Sequence, residues 1–173
     1  MSKDSDNIQV IIRVRPLNER ELGEEDCKRC VIVDQPSRKR LRLGLEDNKT
    51  GPRDFEFDWI GDERTSQQQI FESIGKSMVE RCVKGYNCCI FAYGQTGAGK
   101  TYTMQGKDLK DCSIDDPERG LQLRVFDYMF DVMSRETKKA PGTIFRLFCS
   151  YLEIYNEQIT DLVSFDRILI PSL

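Results

Sequence analysis

Eight residues, Gly94-Gln95-Thr96-Gly97-Ala98-Gly99-Lys100-Thr101, fit the pattern G-x-x-x-x-G-K-[ST], whose residue types are those needed to hold a polyphosphate. Three glycines let the backbone turn its N–H groups inward on the α- and β-phosphates. Lys100 is placed to reach the β/γ oxygens, and the Thr101 hydroxyl to ligate Mg²⁺. The whole loop, Gly94 to Thr101, is the candidate cofactor site, with Lys100 and Thr101 as the candidate catalytic pair and Thr101 as the candidate metal ligand.

Such a loop needs a strand before it and a helix after it. The apolar run Cys88 to Tyr93 predicts a buried strand, and a helix is predicted from Lys100, its N-terminal dipole facing the phosphates. Thr65 or Ser66 can cap a helix to about Val83, on which Ile70, Phe71, Ile74, Met78 and Cys82 recur at helical steps. Gly85 ends it. Ile8 to Val14 reads as a strand, followed by short candidates at 30–33, 40–45 and 55–59 that suggest a small β-lobe. The acidic stretch from Gly106 to Glu118 reads as an exposed loop, after which helical spacing resumes at Leu121. Thr143 to Tyr155, apolar on both faces, predicts a long central strand.

Beyond the generic loop, Gly85-Tyr86-Asn87 followed by Ile90 to Met104 resembles the P-loop signature of kinesin motor domains. Arg13-Val14-Arg15-Pro16 is similar to the family's R-x-R-P motif, and Ser150-Tyr151-Leu152-Glu153-Ile154-Tyr155-Asn156-Glu157 to its S-[FY]-x-E-I-Y-N-E segment. The stretch from Tyr151 to Leu162 leans toward mitotic, phragmoplast-type kinesins. The resemblance implies an α/β P-loop NTPase fold, a mixed central sheet flanked by helices beside a small β-lobe. It implies ATP and Mg²⁺ as cofactors, microtubules as partner, and a cytoplasmic, cytoskeletal location. It also implies that Arg13, Arg15 and Pro16 border the adenine and that Tyr102 stacks on it. Leu123 stands where the family usually has proline, a change the helix is expected to survive.

The expected organisation is a disordered N-terminus 1–7, a partial motor domain 8–163 and a tail 164–173 unlike the family. No N-x-x-S-S-R-S-H or D-L-A-G-S-E switch segment occurs, and the sequence contains no histidine. Two functions are therefore carried forward: the ATP-binding half of a microtubule motor, and a non-catalytic nucleotide-binding or interaction fragment. The resemblance places a switch strand beside the P-loop strand, so a chain without it is expected to be marginal and aggregation-prone.

The remaining signals are bland. A net charge of −3 with 32% charged residues gives no global pull toward nucleic acid. No run of 18 apolar residues calls for a membrane span. Seven cysteines, two of them adjacent at Cys88-Cys89, suit free thiols, and Cys27-Lys28-Arg29-Cys30 lacks a second pair for zinc. The basic run Arg38-Lys39-Arg40-Leu41-Arg42 reads as a solvated strand edge rather than a nuclear signal or a tubulin contact. Asp58-Trp59-Ile60-Gly61 matches D-x-x-G but precedes the P-loop, which favours a structural role.

Overall fold

A computed structural model describes residues 8–24, 29–44, 51–107, 113, 115–164 and 167–168. The fold is mixed α/β. Two compact units divide the chain, 1–134 and 135–173.

In the first unit, strand β1 (Ile11–Arg13) pairs in parallel with β5 (Trp59–Gly61), Ile12 opposite Ile60. Parallel pairing brings Asp58 against the start of β1, where its Oδ2 accepts from the Val10 amide at 2.7 Å. Ile60 is completely buried. The D-x-x-G stretch is thus spent on holding this pair. Between the two strands lies the β-lobe, β2 (Val31–Val33), β3 (Arg40–Leu43) and β4 (Arg53–Glu56), antiparallel in the order β2-β3-β4. Two-residue alternation sends Leu41 inward and sets Arg40 opposite Glu56 and Arg42 opposite Asp54. Their ion pairs, at 2.6 and 2.8 Å, neutralise much of the basic run, which is a charged sheet face and not the strand edge expected, since β3 pairs on both sides.

Ser66 caps the following helix. Its hydroxyl accepts from the Gln69 amide while the Gln69 side chain accepts from the Ser66 amide, a capping box. The helix runs as α2 (Gln67–Ile70), one π-turn (Phe71–Gly75) and α3 (Lys76–Val83). Ile70, Phe71 and Leu121 form the core, with Trp59, Ile74, Ile90, Met104, Val125 and Tyr128 packed on it. Leu121 opens α5 (Leu121–Lys139); Leu123 sits in its first turn without breaking it. An edge-on contact of Phe71 with Tyr128, 5.7 Å between centroids, joins the two helices.

Two strand expectations fail. Cys88 to Tyr93 belongs to no sheet among the described residues, and it is not buried: Phe91 is 83% and Tyr93 92% exposed. Cys88 and Cys89 are exposed free thiols rather than core residues. An apolar run satisfies its backbone only by pairing, and none of the described strands takes its edge. The central sheet is limited, among the described residues, to β1 and β5. A cavity of about 740 Å³ separates β1 from this run, lined by Ile8, Ile11, Ile74, Met78, Ile90 and Phe91 among others. In the second unit, only Leu152–Tyr155 (β6) of the predicted 143–155 strand is a strand. It pairs with β7 (Gln158–Asp161), which pairs with β8 (Arg167–Ile168). Ile144 and Phe148 ahead of it are 80% and 94% exposed.

Exposed apolar surface of this kind predicts self-association. At micromolar concentration the chain should brighten a hydrophobic dye and scatter light; a monomeric, dye-dark sample would contradict this.

Cys27, residues 1–7 and residues 108–112 and 114 of the acidic loop lie outside the described residues. None of the described helices is long and apolar enough to cross a membrane.

Candidate functional site

The loop Gly94–Thr101 turns tightly before α4 (Lys100–Met104). Ala98 donates to the Gln95 carbonyl at 3.1 Å, and the turn passes through Gly97 at φ 80° and Gly99 at φ 92°. Both values lie in the left-handed region that L-residues with a Cβ resist. Gly99 then starts the helix, accepting from the Thr103 amide at 2.9 Å. The Lys100 ammonium folds back across the loop and donates to the Gly94 and Gln95 carbonyls at 2.8 and 2.9 Å. Thr101 is exposed at the second position of the helix. A positive charge thus already lies against the turn.

The R-x-R-P residues lie alongside. Arg15 sits close to the loop: a methyl added to Gly99 would find the Arg15 stem at 3.9 Å. Its guanidinium grips Glu21 with two bonds, 2.6 and 3.0 Å, and also donates to the Pro16 carbonyl at 2.9 Å. Glu21 is held in turn by a short capped helix, α1 (Glu19–Leu22). Asn18 Oδ1 accepts from the Glu21 amide while Glu21 accepts from the Asn18 amide. The N-x-x-E spacing is a capping signal that sequence reading passed over.

Arg15 first, then the Asn18 amide, hold the Glu21 carboxyl below its ordinary value of 4.5. A depressed carboxylate contributes stability that is complete above the unfolded pKa and lost as pH falls through the folded one. Unfolding measured between pH 7 and 3 should therefore show a loss in acid that a Glu21→Gln variant lacks; identical profiles would remove Glu21 from the account.

Arg13 is committed differently. Its Nη1 donates to Gln67 Oε1 at 2.8 Å and Thr103 Oγ1 at 3.0 Å, and its Nη2 to the Thr65 carbonyl at 3.2 Å. Its guanidinium carbon lies 5.0 Å from the centroid of the Tyr102 ring, within cation–π reach. Burial pushes the Arg13 guanidinium below its ordinary value against the pull of Tyr102 and Glu118. The Tyr102 hydroxyl donates to Glu118 at 2.5 Å. Burial, then Glu118, push that phenol upward, so it keeps its proton.

Gly94 to Thr101, Tyr102, Arg13 and Arg15 are therefore brought to one side of the first unit, with Pro16 exposed behind Arg15. Gln67, Thr103, Glu118 and Glu21 support them and were missed from sequence. Only Glu21 carried a local signal. The 740 Å³ cavity meets the loop only at Ala98, Gly99 and Lys100 and otherwise lies beneath it. Among the described residues no group of three or more His, Cys, Asp or Glu side chains forms a metal cage.

Comparison with known proteins defines the class. The kinesin motor domain family matches residues 13–168, and the chain belongs to that family. It is 42% identical over 163 residues to kinesin-like protein KIF15 of Homo sapiens, covering 94% of this chain and 11% of that protein. It is 43% identical over 161 residues to kinesin-like protein KIN-12E of Oryza sativa subsp. japonica, covering 91% and 8%. With KIN-12C of Arabidopsis thaliana the identity is 40% over 159 residues, covering 91% and 7%. The chain thus spans about a tenth of the length of these curated relatives.

Proposed function

We propose that these residues are the ATP-binding wall of a P-loop NTPase of the kinesin motor type, which in the whole protein couples ATP hydrolysis to movement along microtubules. The observation that carries this reading is the P-loop itself: left-handed glycines at 97 and 99, a lysine ammonium lying across the turn, and an exposed threonine one position on. This donor set fits a magnesium-bound triphosphate. Loop amides would take the α- and β-phosphate oxygens. Lys100, now on two neutral carbonyls, would exchange them for β/γ oxygens, where a charge-assisted bond is roughly twice as strong. Thr101 would contribute its hydroxyl to Mg²⁺, whose usual habit is to take one or two protein ligands and the substrate's own phosphates. Bound there, the metal would neutralise charge developing on the transferred phosphoryl group.

On the base side, Tyr102 is 38% exposed, and Arg13 covers one face of its ring. The other face would stack on adenine, bordered by Arg15 and Pro16. Arg13 itself, held by three protein acceptors, backs the ring instead of touching the base. The motor domain is taken to begin near residue 8 and to continue at least to 163, in a cytoplasmic protein of the microtubule cytoskeleton. ATP turnover, measured with and without microtubules on a longer chain carrying this segment and the family's switch segments, tests the reading. Stimulated turnover that disappears in Thr101→Ala supports it; turnover indifferent to microtubules, or to Thr101, refutes the motor assignment.

A further inference from the structure

Gln67 is a buried polar residue of the first unit that bonds Arg13, Tyr102 and Glu118 together without reaching the phosphate loop. Its side chain is 1% exposed at the first position of α2. Nε2 donates to the Tyr102 carbonyl at 2.7 Å and, more weakly, to the Glu118 carbonyl at 3.4 Å; Oε1 accepts from Arg13 at 2.8 Å. Tyr102 and Glu118 are themselves joined through the phenol, and Arg13 lies against the Tyr102 ring. One buried amide therefore fixes the backbone of the aromatic, the backbone of the residue holding its hydroxyl, and the cation under its face. A buried amide is satisfied in full only by this arrangement of its neighbours. No side chain from Gly94 to Thr101 bonds to Gln67 in the described contacts, and the loop closes through Lys100 and Ala98 instead.

We infer that Gln67 is a positioning residue for base recognition: it registers the Tyr102 ring against the phosphate loop, so that purine stacking and phosphate binding are satisfied together. The inference rests on the nucleotide reading above and adds the separation of the site into a phosphate half that closes on its own and a base half that depends on Gln67. Loss of registry costs part of a stacking contact, which amounts to a fall of about tenfold in affinity for ATP. Inorganic tripolyphosphate, which has no base, should be held equally well.

The test is equilibrium binding of Mg·ATP and of Mg·tripolyphosphate to the full chain, to Gln67→Met and to Thr103→Val, with circular dichroism of each. Methionine keeps the volume and removes every bond; valine removes only the second acceptor of Arg13. The expected result is a roughly tenfold loss for ATP in Gln67→Met, a smaller loss in Thr103→Val, and tripolyphosphate binding within about twofold throughout. Parallel loss of both ligands would make Gln67 merely structural, and no loss of either would remove its role. Wild type binding the two ligands equally would overturn the inference while leaving the phosphate site standing. Wild type binding neither would overturn the nucleotide reading and the inference with it. Should Gln67→Met fail to fold, Thr103→Val decides: selective loss of ATP supports the inference, and unchanged selectivity overturns it.

Discussion

Replacing Lys100 with alanine should lower affinity for Mg·ATP by about 30-fold or more, since losing one partner of a desolvated charge pair costs about 2 to 5 kcal/mol and each 1.4 kcal/mol is a decade. The fold should be nearly indifferent. The ammonium donates to the Gly94 and Gln95 carbonyls, but Gln95 is exposed and Gly94 half-exposed, so water can replace it at both. The glycine turn and the Ala98 to Gln95 bond do not involve the side chain. Titration of the variant with a fluorescent ATP analogue, beside a thermal melt, checks both halves. Equal affinity in the two proteins would mean that the ammonium stays on the carbonyls and the loop is not a phosphate site.

The largest effect on stability is expected at Gly120. Its backbone crosses the end of α4: Gly120 donates to the Gln105 carbonyl at 3.0 Å, and Gly106 bridges to Arg119. A Cβ on Gly120 would lie 2.3 Å from the Gln105 carbonyl carbon and 2.4 Å from the Met104 carbonyl oxygen. These are backbone atoms, which cannot rotate away, and the site is buried. Overpacking of this kind costs about 1 to 3 kcal/mol, here at the upper end, which for a chain of this size is a fall of roughly 6 to 12 °C in Tm. Gly23→Ala is the control. That residue has φ −83° and nothing nearer than 3.5 Å to an added methyl. Matching Tm values for Gly120→Ala and Gly23→Ala would show that α4 and the start of α5 are not in close contact. The crossing matters for function because α4 carries Lys100 and Thr101, while Glu118 holds the Tyr102 hydroxyl from the other side.

What the sequence made legible was local. The cap at Thr65 or Ser66, the Gly97 and Gly99 turn, and the apolar steps from Leu121 each need only their own neighbours in the chain, and each element stands where its signal lies. The β-lobe was also readable, though its last candidate, 55–59, is split between β4 and β5, because Asp58 leaves the ladder to hold Val10. Cys88–Tyr93 and Thr143–Tyr151 failed for one reason. Apolarity says that a segment would be content in a buried strand, whereas strand formation is decided by a partner edge, and none of the described segments supplies one. The site divided the same way. The loop was readable as types at fixed spacing, whereas Tyr102 and the two arginines came only from the family resemblance. The roles of Gln67 and Glu118 were not, since a glutamine at a helix start and a glutamate in an acidic loop acquire meaning only from residues 35 and 16 positions away.

The most direct test of the account is a titration of the isotopically labelled chain with Mg·ATP, following backbone amide resonances. The account predicts saturable shifts concentrated at Gly94 to Tyr102, with Arg13 and Gln67 responding and the β2-β3-β4 lobe silent. Absence of saturation, or shifts centred on Ile8, Met78 and Phe91 around the cavity beneath the loop, would contradict it.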